Sequence, residues 1–193
     1  MSRAKPRPAP TDAPGVGDEA LHAASQDYRT LTATEAAVSE RLSGMALDMP
    51  AMAAVSNVYR AAGAIRNHFE HTVLAPYNLT WTAWVVLWVV WIWEEIETRH
   101  VAAEAGISKG TLTGVAGTLE KMGLLERRTH PEDGRRVLLR LSPAGLQLMA
   151  ELFPVFNKQE ALVVQSLSAE EIRVLAAALR KIVVDMESGP APA

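Results

Sequence analysis

Residues 98–143 decide the fold, and they run TRHVAAEAGISKGTLTGVAGTLEKMGLLERRTHPEDGRRVLLRLSP. The first part predicts a short helix at 99–105 that ends at Gly106, because glycine readily adopts the left-handed conformation that ends helices. Ser108 has the side chain of a good N-cap, so a second helix begins after it and is closed by Gly123. The segment therefore contains two helices joined by a tight turn.

A β-hairpin follows the two helices. Residues 124–128 and 136–141 are apolar or basic and have strand-like composition, and the turn signal HPEDG at 130–134 lies between them. Helix, turn, helix and basic hairpin predict a winged helix-turn-helix, a mainly α-helical fold with a small β-hairpin wing.

The rest of the chain is predicted to be helical between its two ends. Further helices are expected at about 33–44, 50–75, 80–95, 143–165 and 168–186. Thr32 with Glu35, and Ser168 with Glu171, have the spacing of a capping box, and Thr98 is a candidate N-cap for the helix that follows it. Glu94, Glu95, Glu97 and His100 are expected to form a charged loop.

Three parts of the chain differ in composition. Residues 1–45 are expected to be a mostly disordered extension with one short helix, because the first twenty residues contain four prolines. They lack the apolar core of a secretory signal, so no such signal is predicted. Residues 46–187 form the folded domain, in which long helices at about 50–75 and 143–187 flank a central lobe at about 79–142. Residues 188–193 are expected to be a disordered tail.

Charge is distributed unevenly along the chain. The net charge is −3, yet residues 99–140 contain eight Lys/Arg and five Asp/Glu, a local balance of +3. A basic segment in an acidic protein is typical of a nucleic-acid footprint, although it is also found on solvated surfaces. The chain has no cysteine, which excludes disulfides, thiolate metal sites and cysteine-based redox sensing and fits a cytoplasmic location.

The residues expected to contact DNA lie on the second helix and the hairpin. The N-terminal residues of a recognition helix face base edges in the major groove, and hairpin arginines can enter the minor groove. The candidates are Ser108, Lys109, Thr111, Thr113 and Gly114 on the helix, and Arg127, Arg128, Arg135 and Arg136 on the hairpin.

Five segments in order resemble the MarR family of bacterial regulators. They are Leu-Thr at 79–80, VAAEAGIS at 101–108, LEKMGLLER at 119–127, Asp-Gly-Arg at 133–135 and LSPAG at 141–145. The resemblance covers about residues 50–187 and implies a homodimer that binds double-stranded DNA through a winged helix, usually as a repressor. A winged-helix module that binds proteins, without specific DNA binding, is the alternative.

The chain departs from the family pattern in the recognition helix. That helix carries Gly110, Gly114 and Gly117, and Lys109 is its only basic residue before Lys121. It therefore lacks the arginine that most often reads guanine, and specificity is expected to depend on Lys109, Thr111, Thr113 and DNA shape.

A tryptophan stripe marks the helix at 80–95. Trp81, Trp84, Trp88 and Trp91 fall within an arc of about 80°. They either pack the core or line a pocket for an apolar or aromatic effector, as the family resemblance implies. The candidate ligand residues are Trp84, Trp88 and Trp91, with Arg66, His68 and Tyr77 for polar contacts.

Other functions are not indicated by the sequence. No phosphate-binding loop, Gly-x-Ser-x-Gly or His-Glu-x-x-His motif occurs, so we expect no enzyme, and no cofactor or metal site. The apolar run Leu79–Trp93 has fifteen residues, whereas a membrane span needs about twenty, so it is interpreted as a buried helix.

Overall fold

The structure is a computed structural model that describes residues 31–189. The predicted disorder of residues 1–30 and 190–193 lies outside the described residues. The chain divides into two compact units between Tyr59 and Arg60.

The first unit contains α1 (Leu31–Arg41) and the start of α2 (Met49–Phe69). The capping box predicted at Thr32 is wrong, because the helix already begins at Leu31 and Thr32 lies inside it. Glu35 instead accepts a hydrogen bond from the Asn57 side chain at 3.1 Å.

The long helix predicted at 50–75 changes its winding before it ends. Its α-helical part stops at Phe69, a π-helical turn covers Glu70–Leu74, and a 3₁₀ turn covers Ala75–Tyr77. Pro76 has no backbone N–H to continue the helix, and Asn78 takes a left-handed conformation with φ 55°. The chain then enters α3.

The central helix α3 (Trp81–Trp93) forms much of the core of the second unit. Thr80 caps it by accepting from the Ala83 N–H at 3.2 Å. Six of its residues are buried, namely Ala83, Trp84, Val86, Leu87, Val89 and Val90. Trp93, which lies outside the tryptophan stripe, is 57% exposed.

A three-residue strand replaces the charged loop expected after α3. Glu94 has φ 59°, and β1 (Glu95–Glu97) follows it directly. The strand pairs antiparallel with β3 (Val137–Leu141), which also pairs with β2 (Leu125–Thr129), so the sheet order is β1-β3-β2. Leu139 lies at the centre of the sheet, opposite Ile96 and Arg127.

The helix-turn-helix lies between β1 and β2 in sequence. It consists of α4 (Thr98–Glu104) and α5 (Lys109–Lys121). Glu97, not Thr98, occupies the N-cap position of α4 because the helix begins at Thr98. Ser108 caps α5 as predicted, and Gly106 and Gly123 both have positive φ.

Two helices complete the second unit. They are α6 (Pro143–Val163) and α7 (Ala169–Glu187), and the predicted capping box of Ser168 and Glu171 is present. No residue of α7 is buried. Among residues 31–189, no single helix is long and apolar enough to cross a membrane; Met49–Tyr77 and Trp81–Trp93 meet such a test only together, across a bend.

Candidate nucleic-acid interface and effector cavity

The start of α5 presents all five helix residues that the sequence nominated. Ser108, Lys109, Thr111, Thr113 and Gly114 are exposed. All three hydroxyls are already engaged: Thr113 Oγ1 donates to the Lys109 carbonyl at 2.9 Å, and Thr111 Oγ1 lies 2.8 Å from Ser108 Oγ. The Lys109 ammonium has no hydrogen bond or ion pair within residues 31–189.

The outward face of α5 is lined by glycine. At about 100° per residue, Gly110, Gly114 and Gly117 share an arc of about 60°. The buried face of the helix, formed by Leu112, Ala116 and Leu119, lies opposite. A Cβ at Gly114 or Gly117 would meet nothing within 4 Å, so the protein's own packing does not require glycine there.

The four hairpin arginines differ in their partners. Arg127 Nε lies 2.8 Å from Glu120 Oε2, and Arg128 pairs with Glu95 at 3.1 Å. Arg136 pairs with Glu97. Arg135 is exposed, and within the described part of the chain its guanidinium has no hydrogen bond or ion pair.

Glu97 is a buried carboxylate at the base of the wing. It accepts from Arg99 at 2.9 Å and also pairs with Arg136. The Nε of Arg136 is buried and has no hydrogen-bond partner in residues 31–189, so Glu97 holds this guanidinium at one edge. Glu97 and Arg99 were not nominated as site residues from the sequence, which predicted a loop at Glu97.

A basic cleft lies between α5 and the wing. Its volume is about 340 Å³, and its lining residues are Thr98, Arg99, Lys109, Leu112, Thr113, Ala116, Arg127 and Val137. Lys109, Thr113 and Arg127 were nominated from the sequence, whereas Thr98 and Arg99 were not. Three cations and two hydroxyls around one cleft suit the binding of an anionic backbone.

The C-terminal end of α5 is fixed to the start of α6. Ser142 Oγ donates to the Gly123 carbonyl at 2.5 Å and accepts from the Gly145 N–H at 3.0 Å. The Ser142 N–H donates to the Leu124 carbonyl at 3.0 Å. A Cβ added to Gly145 would lie 2.1 Å from the Leu124 carbonyl oxygen, so only glycine fits at this contact.

A second cavity, aromatic and of about 250 Å³, lies between α3 and α6. Its lining residues are Trp81, Trp84, Val85, Trp88, Phe153, Phe156 and Glu160. The rings of Trp84 and Phe156 are stacked at 4.2 Å between centroids, and those of Trp88 and Phe153 at 5.0 Å. Two of the six nominated ligand residues, Trp84 and Trp88, therefore line this cavity.

The other four nominated residues lie elsewhere. Trp91 packs against Trp88 at 5.7 Å without lining the cavity. Arg66, His68 and Tyr77 do not line it either, and His68 Nε2 lies 2.9 Å from Gln159 Oε1. The sequence did not indicate Phe153, Phe156 and Glu160 as ligand residues. They share one face of α6 because they are three and four residues apart.

Known proteins match this chain over a stretch that contains the helix-turn-helix. A family model described as the MarR family matches residues 79–137. The uncharacterized HTH-type transcriptional regulator YwaE of Bacillus subtilis (strain 168) is 35% identical over 136 residues, which cover 70% of this chain and 80% of YwaE. This chain belongs to the MarR family. It is therefore a DNA-binding transcriptional regulator with a winged-helix fold, and not an enzyme.

Solved structures of MarR-family regulators share this fold. Bordetella bronchiseptica BpsR, whose DNA binding is regulated by 6-hydroxynicotinic acid, has a TM-score of 0.62 and 25% identity, and the match covers 67% of this chain and 98% of BpsR. A mutant MarR from E. coli in complex with operator DNA has a TM-score of 0.59 and 22% identity, covering 66% of this chain and 91% of that one. The second likeness shows the fold alone.

Proposed function

We propose that this MarR-family chain is a homodimeric repressor that binds operator DNA through α5 and the wing and is released by a small apolar or aromatic effector. The basic cleft carries the proposal, because Arg99, Lys109 and Arg127 converge there between the two elements that a winged helix presents to DNA. Arg135 adds an unpaired cation near the tip of the wing. Since the target is operator DNA, we place the protein in the cytoplasm.

The exposed face of α7 supports the dimer. Its exposed apolar residues are Val174, Leu175, Leu179, Ile182, Val183, Val184 and Met186. An exposed apolar surface of this kind is costly in water and marks an interaction site. A second copy would cover it with the same face by two-fold symmetry and would present two recognition helices to two half-sites about one helical turn apart.

Two connections support control of DNA binding from the aromatic cavity. At the end of α3, Glu94 leads directly into β1, whose Glu95 and Glu97 hold wing arginines. At the start of α6, Ser142 holds the end of the recognition helix. An effector between α3 and α6 can act on DNA affinity only by binding DNA-competent and DNA-incompetent dimers differently.

A salt titration tests the DNA-binding proposal. We expect the purified protein to bind a labelled duplex from the promoter beside its own gene, with affinity falling steeply between about 50 and 200 mM salt because binding releases counterions. A scrambled duplex of equal length is the control for sequence preference. Salt-insensitive or absent duplex binding would favour the protein-interaction module. Sedimentation of a stable monomer at micromolar concentration would refute the dimer.

A further inference from the structure

Among the described residues 31–189, the one charged residue that lines the aromatic cavity is acidic. Five aromatic rings and Val85 form most of the cavity lining, and Glu160 supplies the remaining residue. Resting on the proposed effector function of this cavity, we propose that its ligand is a hydrophobic cation, of the class of aromatic amines and quaternary ammonium ions, and not an aromatic acid.

The partly exposed rings of Trp81 and Trp88 offer the surface that such a cation needs. Tryptophan is the best of the aromatic side chains at attracting a cation to its ring face, and phenylalanine does so more weakly. Three tryptophans line the cavity, and Trp84 and Trp88 are each stacked against a phenylalanine of α6. The two stacked pairs give the cavity a wall of packed ring systems from two helices.

The carboxylate of Glu160 is available to pair with a positive group. Its Oε2 accepts one hydrogen bond from the Asn157 side chain at 2.9 Å, and it has no ion pair with any residue in the range 31–189. Glu160 lies on the same face of α6 as Phe153 and Phe156. A ligand ammonium could therefore contact the carboxylate while its ring lies among the aromatic side chains.

A second carboxylate, that of Glu70, is bonded to the backbone of Trp81 but does not line the cavity. Glu70 Oε1 accepts from the Trp81 backbone N–H at 2.9 Å, at the start of α3. Arg66, the cationic residue nominated for polar contacts with the effector, does not line the cavity, and His68 is bonded to Gln159. An aromatic acid would bring its charge beside the Glu160 carboxylate, and none of the described lining residues carries a positive charge to offset this repulsion.

Three ligands that share a phenylethyl scaffold test the proposal. They are the 2-phenylethylammonium cation, the neutral 2-phenylethanol and the phenylacetate anion, each titrated into the full-length protein with tryptophan fluorescence as the readout. We expect the cation to bind about tenfold more tightly than the alcohol, and phenylacetate to bind most weakly, because a cation is attracted both to a tryptophan ring face and to a nearby carboxylate. Labelled operator DNA in parallel reports release.

Two variants assign the preference to the carboxylate. Glu160→Gln should abolish most of the tenfold difference between cation and alcohol, whereas binding of the alcohol should stay the same. Glu151→Gln is the matched control, since Glu151 is an exposed residue of α6 that contacts Gln147 and does not line the cavity. This control should keep the full preference.

Failure of the cation proposal is distinguishable from failure of the proposed function. Tighter binding of phenylacetate than of the cation, with release of DNA, would overturn the cation proposal and leave the effector cavity in place. Equal binding of cation and alcohol, or no response to any of the three ligands, would also overturn it. The salt-dependent DNA binding of the unliganded protein tests the regulator itself and does not depend on these titrations.

Discussion

The recognition helix and the wing belong to one DNA-binding lobe, but they are built in different ways. The outward face of α5 has few side chains, because three glycines line it, and Lys109 is the only cation near the start of the helix. The wing is crowded with charge, yet Arg127, Arg128 and Arg136 are each paired with a glutamate of the chain. The helix thus allows close approach of its backbone. The wing provides a positive electrostatic field, which the paired carboxylates on α5 and β1 reduce.

This difference has an energetic side. Each glycine in an exposed helix costs about 1 kcal/mol relative to alanine, so α5 is intrinsically a weak helix. It is held by contacts at its two ends, the Ser108 cap and the Ser142 contact to Gly123. The wing needs no such support for its backbone, because β2 and β3 pair along five residues.

The substitution with the largest expected effect, Gly145→Ala, disrupts the contact that holds the end of α5. In Gly145→Ala the new Cβ would overlap the Leu124 carbonyl, a backbone atom that cannot rotate away. The start of α6 and the end of α5 must then move apart, which we expect to cost about 3 kcal/mol or more and to lower Tm by on the order of 10 °C.

Thermal unfolding followed by circular dichroism measures this effect. Gly117→Ala is the control, because it adds the same methyl group to a helix position where nothing lies within 4 Å. A Gly145→Ala protein as stable as the wild type would show that the close contact with Leu124 does not hold α5.

Substitutions of Arg135 and Glu95 distinguish the contribution of an unpaired arginine of the wing to DNA binding from that of a paired one. Arg135→Ala removes an unpaired cation and should weaken binding to all duplexes about tenfold, with a salt slope smaller by about one. Glu95→Gln releases Arg128 from its ion pair and should strengthen binding by several-fold, with a larger slope.

Fluorescence anisotropy at several salt concentrations measures both changes. Glu170→Gln is the control for total charge, because Glu170 lies on α7 outside the DNA-binding lobe. If Glu95→Gln and Glu170→Gln change the affinity equally, the pairing of Arg128 has no role in DNA binding and only net charge matters.

Local signals in the sequence were sufficient to predict the winged helix. Ser108 and Gly123 act on neighbouring residues, so their roles as cap and helix end could be predicted, and both are confirmed. The three-residue β1 was missed, because its pairing of Ile96 with Leu139 depends on a strand far along the chain. The burial of Glu97 and its two arginine partners depends on the same pairing.

Only the cavity residues on α3 could be predicted from the sequence. Helical periodicity placed Trp84 and Trp88 on one face of α3. It could not show that Phe153, Phe156 and Glu160 of α6 pack against that face, because the pattern of one helix does not identify its neighbour. This is why the polar residues nominated from the sequence do not line the cavity, while Glu160 does.

Gly114→Ala tests whether the glycine-lined face of α5 serves DNA binding. A methyl group there has room within the protein, so the free energy of unfolding should rise by up to about 1 kcal/mol. If the α5 backbone approaches base edges closely, the same methyl group should weaken operator binding. A variant that is both more stable and equally active would show that the glycines are not needed for contact.

The smallest expected effect concerns α7, outside the DNA-binding lobe. Hydrogen bonds donated by the Ser168 backbone and hydroxyl hold the pKa of Glu171 below its ordinary value of 4.5. A carboxyl whose folded-state pKa is lowered stabilises the fold above its unfolded-state pKa, and this contribution is lost as the pH falls through the folded-state value. Ser168→Ala removes the hydroxyl donor and should raise the folded-state pKa of Glu171 toward 4.5. The folded-state and unfolded-state pKa values then lie closer together, so the Glu171 carboxylate contributes less to the pH dependence of stability. Carbon NMR titration of the Glu171 carboxyl in both proteins measures the shift, and an unchanged titration midpoint in Ser168→Ala would mean that the backbone hydrogen bond alone sets it.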